Sequence, residues 1–449
     1  MRLEPVKQKA SARPSVVRLA YCLNLHAATT LAEVAQVLRT YTVPLRERLG
    51  VSGGFGVGMY FEAPAAAELA GDPQKLDELA ALMAEERLDP FTFNAFPYGG
   101  FQEDGLKERV YAPTWETDER LRYTVHVARV AAGLHTRLAT TGDGAGAGRF
   151  LSISTHPGAY GADITDRSGL RRCAQNMARA VGELAQLERA TGHRIVLSLE
   201  SEPDASARNS RALAEYLVFA RLVGSQILQD EFEATIEESS ALMLRHLGVC
   251  LDCCHSAVEF EAAGDSLRLA GLDGGPLGKI QFSSALALAA PARQPEAVAA
   301  LLGLDEPRFL HQVTGRSADG EFLHLSDLPA LQSEVALGAE SPWASAEEWR
   351  CHFHVPVNLQ DALGLTTTRS HADEILHAAL ADPGSWNAPE LHVEIETYTW
   401  SVLPEVDPEA GSEDPGQSIV EGLEREYAHV LGRCSEAGYL PVQEGERGG

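Results

Sequence analysis

The chain lacks a hydrophobic run long enough to cross a membrane, and its cysteines do not form a disulfide framework. Its 449 residues include seven cysteines, an odd number, and three of them crowd one stretch at Cys250, Cys253 and Cys254. Such a cluster indicates a reducing compartment. The polar stretch at the N-terminus also lacks the apolar core of a secretory signal. These absences predict a cytoplasmic protein without a membrane span.

Basic residues are scarce as well. The 37 Lys and Arg residues face 64 Asp and Glu residues, which gives a formal net charge of −27. Such a chain repels the phosphates of nucleic acids and anionic membrane surfaces. No strand is followed by a helix start with the GxGxxG pattern, so the dinucleotide fingerprint is absent too. We therefore expect a small-molecule partner and no nucleic acid.

Strand-like and helix-like stretches alternate from residue 16 to about residue 400. Repeated strand–helix units predict a parallel sheet with right-handed crossovers, and their number favours a (β/α)8 TIM barrel. The pattern contains nine strand candidates, one more than the barrel needs. Two of them, at 279–288 and 351–357, compete for the seventh position. Pro, Gly and Ser interrupt the rhythm at about 289–349, which predicts an insertion late in the barrel.

The same pattern divides the chain into three regions. Residues 1–14 are expected to form a disordered lead-in, and residues 15–403 the barrel with its insertion. Residues 404–449 are expected to contain an acidic linker, an amphipathic helix over about 418–436 and a polar tail. The chain is thus predicted to be an α/β barrel with a C-terminal helical extension.

Four of the apolar runs end in residues of the types that bind metal ions. Runs of this length are typical of buried parallel strands, where a carboxylate is costly unless a cation or another partner compensates it. Barrel active sites lie at the C-terminal ends of the strands, so these residues are expected to meet there. The runs are IVLSLESE at 195–202, VCLDCCH at 249–255, CHFHV at 351–355 and LHVEIET at 391–397.

Strand periodicity places the later member of each acid or histidine pair nearer the active end. We therefore prefer Glu396 to Glu394 and His354 to His352, and we treat Glu202 as a supporting residue. Carboxylates with a histidine suit Mn²⁺, Mg²⁺, Co²⁺ or Zn²⁺. The alternative is that these acids are solvated by loops or paired with Arg and Lys. The predicted metal ligands are Glu200, Asp252, His354 and Glu396.

These residues resemble the pattern of the xylose isomerase-like TIM barrel superfamily of sugar isomerases, sugar epimerases and endonuclease IV. In that superfamily a glutamate ends strand five, an Asp-x-x-His pair ends strand six, a histidine ends strand seven and a glutamate ends strand eight. This chain has Glu200, the segment 252–255 and Glu396 at the matching places. The strand-seven histidine is absent from KIQFSSAL, where Gln281 is a possible carbonyl ligand and His354 the candidate replacement.

Two further histidines match the superfamily. His156 in THPG resembles a histidine of the endonuclease IV branch that helps to hold additional metal ions. The alternative for His156 is a loop histidine that donates to a backbone carbonyl. His255, from the Asp-x-x-His pair, is predicted to orient the substrate or a ligand.

More narrowly, the whole chain is similar to EboE, a family described as metabolite traffic proteins and encoded in ebo gene clusters. The resemblance implies partners among other ebo-cluster proteins. It rests on YCLNLH, FNAFPYG, STHPGAY, LDCCH, HFHVPV and VEIETYTW.

Three functions follow as hypotheses. The first is a metal-dependent isomerase or epimerase of a sugar- or cyclitol-like metabolite, in which the ion polarises a carbonyl and its neighbouring hydroxyl. Glu200 or Glu396 would be the acid/base residue and His255 would position a hydroxyl. The second is a protein that binds and hands over a metabolite without turning it over. The third, phosphodiester cleavage of the endonuclease IV type, is disfavoured by the net charge.

Overall fold

The computed structural model describes residues 1–6, 15–141, 148–161, 163–164, 166–403 and 415–442. The predicted α/β class and parallel sheet are confirmed, because the main sheet has ten strands and eight of them pair in parallel. We number these eight strands in chain order. They are β1 Val16–Tyr21, β2 Phe55–Tyr60, β3 Leu88–Asn94, β4 Phe150–Thr155, β5 Arg194–Glu200, β6 Leu247–Asp252, β7 Leu277–Phe282 and β8 Glu390–Ile395.

The order of the parallel strands across the sheet is β1, β8, β7, β6, β5, β4, β3, β2. Between β1 and β2, the described residues show one isolated parallel bridge, from Cys22 to Gly58. A Cβ atom at Gly58 would lie 1.9 Å from Glu394 Oε1 and 2.9 Å from the carbonyl oxygen of Tyr21. Glycine is therefore needed here for the two outer parallel strands to approach each other.

Two short antiparallel strands extend the sheet beside β1. Arg2–Pro5 pairs with the start of β1 on one side and with Tyr439–Pro441 on the other. The prediction of a disordered lead-in is therefore wrong for these first residues, because backbone hydrogen bonds and the buried Leu3 side chain hold them in the sheet. Residues 7–14 of that prediction lie outside the described residues.

Helices follow most of the parallel strands and cover the sheet. A capping box begins the first of these helices, with the Thr30 hydroxyl accepting from the Glu33 amide and the Glu33 carboxylate accepting from the Thr30 amide. No helix among the described ranges is long and apolar enough to cross a membrane. The α-helices are Leu31–Val37, Val43–Arg48, Ala63–Gly71, Pro73–Glu85, Asp118–Thr141, Arg167–Thr191, Ser210–Phe232, Ile236–His246, Cys253–Val258, Ala263–Ala270, Pro295–Leu302, Leu328–Ala336, Arg369–Ala381 and Pro415–Glu436.

A second sheet of six strands forms between β7 and β8 and has its own hydrophobic core. The segment 289–349, predicted as an insertion, lies within this region. We call residues 283–368 the insertion. Its strands are Leu286–Ala289, Val313–Arg316, Phe322–Leu325, Glu348–Cys351, Asp361–Ala362 and Leu365–Thr367.

The structure decides which candidate is the seventh parallel strand. KIQF belongs to β7, which pairs in parallel with both β6 and β8. The prediction of one strand over 279–288 is wrong, because residues 283–285 separate β7 from Leu286–Ala289, which joins the second sheet. The prediction that CHFHV is a parallel strand is also wrong. Its Cys351 ends an antiparallel strand of the insertion, and both histidines lie in the loop that follows.

The C-terminal helix Pro415–Glu436 anchors two loops of the main sheet through one buried carboxyl group. Glu426 is completely buried and accepts hydrogen bonds of 3.0 Å each from the Val357 amide and the Thr397 hydroxyl. Burial raises the pKa of Glu426 to about 8. The helix therefore holds the loop after His354 and the loop after Glu396 together.

This carboxyl group predicts a pH dependence of stability. Its pKa is higher in the folded chain than in the unfolded chain. Its contribution to the free energy of unfolding is therefore complete below about pH 4 and is lost as the pH rises towards 8. As the pH rises across this range, the free energy of unfolding of Glu426→Gln should increase relative to that of wild type by up to about 1.4 kcal/mol per pH unit. Urea unfolding between pH 5 and pH 9 measures this. Glu424→Gln, a partly exposed neighbour that pairs with Arg48, is the control and should show no such slope. Parallel curves for wild type and Glu426→Gln would contradict the prediction.

Candidate metal centre

The C-terminal ends of the parallel strands open into a cavity of about 500 Å³, counting the space that is open to solvent. Acids and histidines line its inner part, and aromatic rings line another part, among them Phe101, Phe309 and Tyr398. Phe309 comes from the insertion, and its ring centroid lies 5.3 Å from that of Phe101 and 4.9 Å from that of Tyr398. The main sheet and the insertion therefore build the cavity together.

Three carboxylates form an acidic centre at the strand ends. Glu200 ends β5, Asp252 ends β6 and Glu396 follows β8, and one oxygen of each lies within 4.8 Å of one oxygen of the other two. All three are at most 3% exposed. Three negative charges this close in a buried site need a compensating cation or must take up protons.

Glu396 is the most strongly held of the three. Its Oε1 accepts hydrogen bonds from the amides of Asn24 at 2.7 Å and Asn94 at 2.9 Å, and its Oε2 accepts one from Gln281 at 2.6 Å. Burial and the nearby charge of Asp252 nevertheless raise the pKa of Glu396 to about 8. The surrounding amides fix the direction of this carboxylate but do not neutralise it.

Asp252 and Glu200 differ in how they are held. The Ser283 hydroxyl lies within hydrogen-bond distance of both Asp252 oxygens, at 3.0 and 2.9 Å, and the His255 amide donates to Oδ1 at 2.8 Å. Glu200 Oε2 is buried without a hydrogen-bond partner. Burial, and then the charges of Glu396 and Asp252, raise the pKa of Glu200 well above its usual range. A buried carboxylate oxygen without a partner in a cavity is what a cation or a substrate hydroxyl would satisfy.

Three imidazole rings form a histidine centre beside the acidic centre. The Nδ1 atoms of His255, His352 and His354 lie 2.8, 2.5 and 3.0 Å from the Ser201 carbonyl oxygen, Gln312 Oε1 and the Glu396 carbonyl oxygen. Oxygens of these kinds can only accept, so the hydrogen-bond network assigns the proton of each ring to Nδ1. In a neutral ring of this tautomer, Nε2 carries the lone pair.

The Nε2 atom of His255 faces the Nε2 atoms of both other rings. His255 Nε2 lies 3.2 Å from His352 Nε2 and 3.0 Å from His354 Nε2. Burial lowers the pKa of His352 well below its usual range and, against the opposing charge of Asp252, lowers that of His354 to about 4. Extra protons are therefore disfavoured on His352 and His354, and two neutral rings cannot bond each other through two lone pairs. A metal ion is the group that fits this donor set, since neutral imidazole is a common ligand of divalent transition metals.

The two centres share residues. Asp252 forms a possible ligand group with His255 and His354, and Glu202 forms one with His255 and His352. His354 Nδ1 lies 3.7 Å from Glu396 Oε2 and 4.0 Å from Asp252 Oδ2. The structure thus brings together all the predicted metal ligands and His255, but it directs His354 Nε2 towards the other histidines.

The backbone at His354 has a φ of 45°, in the left-handed region. This conformation is costly for a residue other than glycine and tends to occur at functional sites. The His354 ring stacks on Tyr398, with centroids 4.6 Å apart, and the Thr399 hydroxyl donates to its carbonyl oxygen at 3.1 Å. The loop after β8 therefore stabilises the position of this ring.

The other predicted residues lie around the centres. Both ends of the Gln281 amide are hydrogen-bonded. Its Nε2 donates to Glu396 Oε2, and its Oε1 accepts from the Cys250 thiol at 2.6 Å. His156 stands apart, with its ring packed against Phe96 and Tyr111, and it belongs to no possible ligand group among the described residues. It does not donate to a carbonyl through Nδ1, because that atom accepts from the Gly158 amide.

Glu394 lies on the same strand face as Glu396 but is paired with a residue that sequence reasoning missed. It forms a completely buried ion pair with Lys279, whose Nζ also lies 3.4 Å from the Phe93 carbonyl oxygen. The signal was a single lysine inside the apolar run LGKIQF of β7. The other missed partners, Asn24, Ser283 and Gln312, leave no comparable mark because short polar residues are common in loops.

Comparisons with known proteins add little. Neither a protein-family model nor a curated protein matches the chain. Among solved structures, the chain is similar to the IolI protein with a binding zinc atom at 11% identity, over 93% of this chain and 98% of that one, with a TM-score of 0.41. It is also similar to a xylose isomerase domain protein from Planctomyces limnophilus at 10% identity, over 94% and 97% of the two chains, with the same TM-score. At this level of similarity, neither structure identifies a family or an activity.

Proposed function

We propose that this chain is a divalent-metal-dependent isomerase or epimerase of a small polyhydroxylated metabolite such as a sugar or cyclitol. The proposal includes a closed (β/α)8 barrel of the xylose isomerase-like type, with the Cys22–Gly58 bridge marking the closure. The observation that carries the function is the pairing of a buried acidic centre with a cluster of three imidazole rings in one cavity.

A bound ion would polarise a substrate carbonyl and the neighbouring hydroxyl, which makes the adjacent C–H group more acidic. Glu200 is the best candidate for the acid/base residue, because it lines the cavity and its Oε2 has no partner. Burial and the neighbouring acids raise its pKa, which suits a group that must hold a proton as well as release one. Glu396 is held by three amide groups and is better suited to binding the ion.

The residues available to the ion are Glu200, Asp252 and Glu396 in the acidic centre and His255, His352 and His354 in the histidine centre. Mixed carboxylate and imidazole donors suit Mn²⁺, Co²⁺ or Zn²⁺. The aromatic side of the cavity, with Phe101, Phe309 and Tyr398, suits the apolar face of a sugar ring. EboE-type partners remain part of this proposal.

A second candidate is a protein that binds a metabolite without converting it. Gln281 favours this candidate, because both ends of its amide are already used by Glu396 and Cys250. It therefore adds no further ligand from β7. A cavity that keeps its shape but lacks one metal-binding side chain can still bind a polyol.

Metal analysis of the purified chain and two variants tests the proposal. We expect wild type to retain a divalent ion, and Glu200→Gln and Glu396→Gln each to weaken its affinity by about 100-fold or more, since even supporting residues change metal affinity by about 10–100-fold. Exchange of substrate C–H for deuterium over a panel of sugars and cyclitols, followed by NMR, reports turnover. Glu231→Gln, which removes a surface acid paired with Arg179, is the matched control and should leave metal affinity unchanged. A metal-free wild type that binds a polyol normally would contradict the enzyme and support the second candidate.

A further inference from the structure

A second cavity lies at the opposite end of the parallel strands. It measures about 1170 Å³ including the space that is open to solvent. Arg149 and Phe150 border it at the start of β4 and Arg194 at the start of β5, and Arg245 reaches it from the helix before β6. Because β5 has Arg194 at one end and Glu200 at the other, its rise of about 3.3 Å per residue separates the two cavities by about 20 Å. We call this second cavity the floor cavity.

The floor cavity is lined by three arginines and one acid, Glu188. This is unusual for a chain with 64 acidic and 37 basic residues. Glu188 is already engaged by Arg245, whose Nε donates to Oε2 at 2.7 Å, and by His246, whose Nε2 lies 3.2 Å away. The acid in the lining is therefore used by one of the three arginines.

Arg149 is bound by a different carboxylate from the one that binds Arg245. Its Nη2 donates to both oxygens of Asp89 at 2.7 and 2.9 Å. Asp89 also accepts from Arg18 Nη1 at 2.8 Å, and Arg18 is bound in turn by Glu390. Arg149 Nε is buried and has no hydrogen-bond partner. One of its donors therefore has an unused capacity for a hydrogen bond.

Arg194 has no carboxylate partner within 4 Å among the described residues. Its Nε and Nη2 donate to the Arg245 carbonyl oxygen at 3.2 and 2.8 Å, and its guanidinium lies 5.4 Å from the centroid of the Phe150 ring. Burial, and then the charge of Arg245, lower the pKa of Arg194 to about 10, so the group is still cationic at neutral pH. In this region the positive charges outnumber the negative charges by one. The carboxylates of Asp89, Glu188 and Glu390 face four guanidinium groups, those of Arg18, Arg149, Arg194 and Arg245.

We propose that the floor cavity binds a small dianion carrying a phosphate group, with Arg149, Arg194 and Arg245 as its cationic contacts. Guanidinium groups are suited to phosphate because their planar donors bind its oxygens in pairs. A dianion supplies the negative charge that Arg194 lacks, and it bridges the starts of β4 and β5. This site is separate from the metal centre and does not depend on the proposed function.

Isothermal titration calorimetry with inorganic phosphate tests the proposal, using protein stripped of metal and carrying Glu396→Gln, so that the metal centre does not contribute. We expect one phosphate per chain and a rise in the unfolding temperature. Arg194→Gln should weaken phosphate binding by about 10-fold or more, because it removes a cationic hydrogen-bond donor from the site. Glycerol phosphate and methyl phosphate, titrated in parallel, distinguish a site for a phosphorylated metabolite from one for the free ion.

The control is Arg268→Gln, an exposed arginine paired with Asp265, which removes the same charge elsewhere and should leave binding unchanged. If Arg194→Gln does not fold, Arg245→Gln tests the same cavity, because its side chain is 46% exposed, and it should also weaken binding. The proposal is overturned if the metal-stripped Glu396→Gln protein binds no phosphate at millimolar concentration. It is also overturned if Arg194→Gln and Arg245→Gln fold but bind phosphate as tightly as the protein without these changes. The same holds if Arg268→Gln weakens phosphate binding as much as they do.

Discussion

Replacing Lys279 with methionine should lower the free energy of unfolding by about 3–5 kcal/mol, because it leaves the Glu394 charge buried and unpaired. Both side chains are completely buried. Glu394 Oε1 has no hydrogen-bond partner even with the lysine present, so no other group is in place to take over the charge. Urea denaturation followed by circular dichroism measures the loss.

The double variant Lys279→Met with Glu394→Gln is the matched control. It removes both charges, and replacing both members of a buried ion pair is often close to neutral. It should therefore recover most of the stability that the single variant loses. A single variant as stable as wild type would contradict the prediction and show that the ion pair contributes little to stability.

Replacing His255 with alanine should weaken the binding of Zn²⁺ or Co²⁺ by about 100-fold or more. The Nε2 atom of this ring lies within 3.2 Å of the Nε2 atoms of both His352 and His354, so its loss removes both of these contacts. The loss should exceed the roughly 10–100-fold effect of a supporting residue. Competition with a coloured chelator measures the affinity, and the visible spectrum of the cobalt protein should lose its intensity.

His156→Ala is the matched control for this experiment. His156 is as completely buried as the three histidines of the centre, but it is packed between Phe96 and Tyr111 and should leave metal affinity unchanged. Equal affinities in wild type and His255→Ala would contradict an ion at the histidine centre. An ion that still binds through Glu200, Asp252 and Glu396 would then be placed in the acidic centre alone.

The acidic centre was predictable from the sequence because its members follow apolar runs that form parallel strands. Glu200 and Asp252 end β5 and β6 as the periodicity indicates, and Glu396 follows β8 directly. The strand ends of a parallel sheet meet at one edge, so the position of each acid along its own run was enough to bring the three together. No long-range information was required.

The histidine centre was not predictable in the same way. The short apolar run CHFHV predicts a buried parallel strand that carries His352 and His354. The strand instead ends at Cys351 in the antiparallel sheet of the insertion. Their approach to His255 depends on how that sheet packs against the main sheet, and on a left-handed backbone at His354. Such packing leaves no periodic signal in the sequence.

The insertion supplies His352, His354 and Phe309, while the parallel strands and their loops supply Glu200, Asp252, His255 and Glu396. The histidine centre is therefore complete only when two separately cored units have docked. Metal binding should report that docking, and an ion bound between the units would stabilise the docked arrangement. Because the two centres come from different units, the acidic centre can be inherited with the parallel sheet. Changes in the insertion alone can then alter the metal preference and the shape of the cavity.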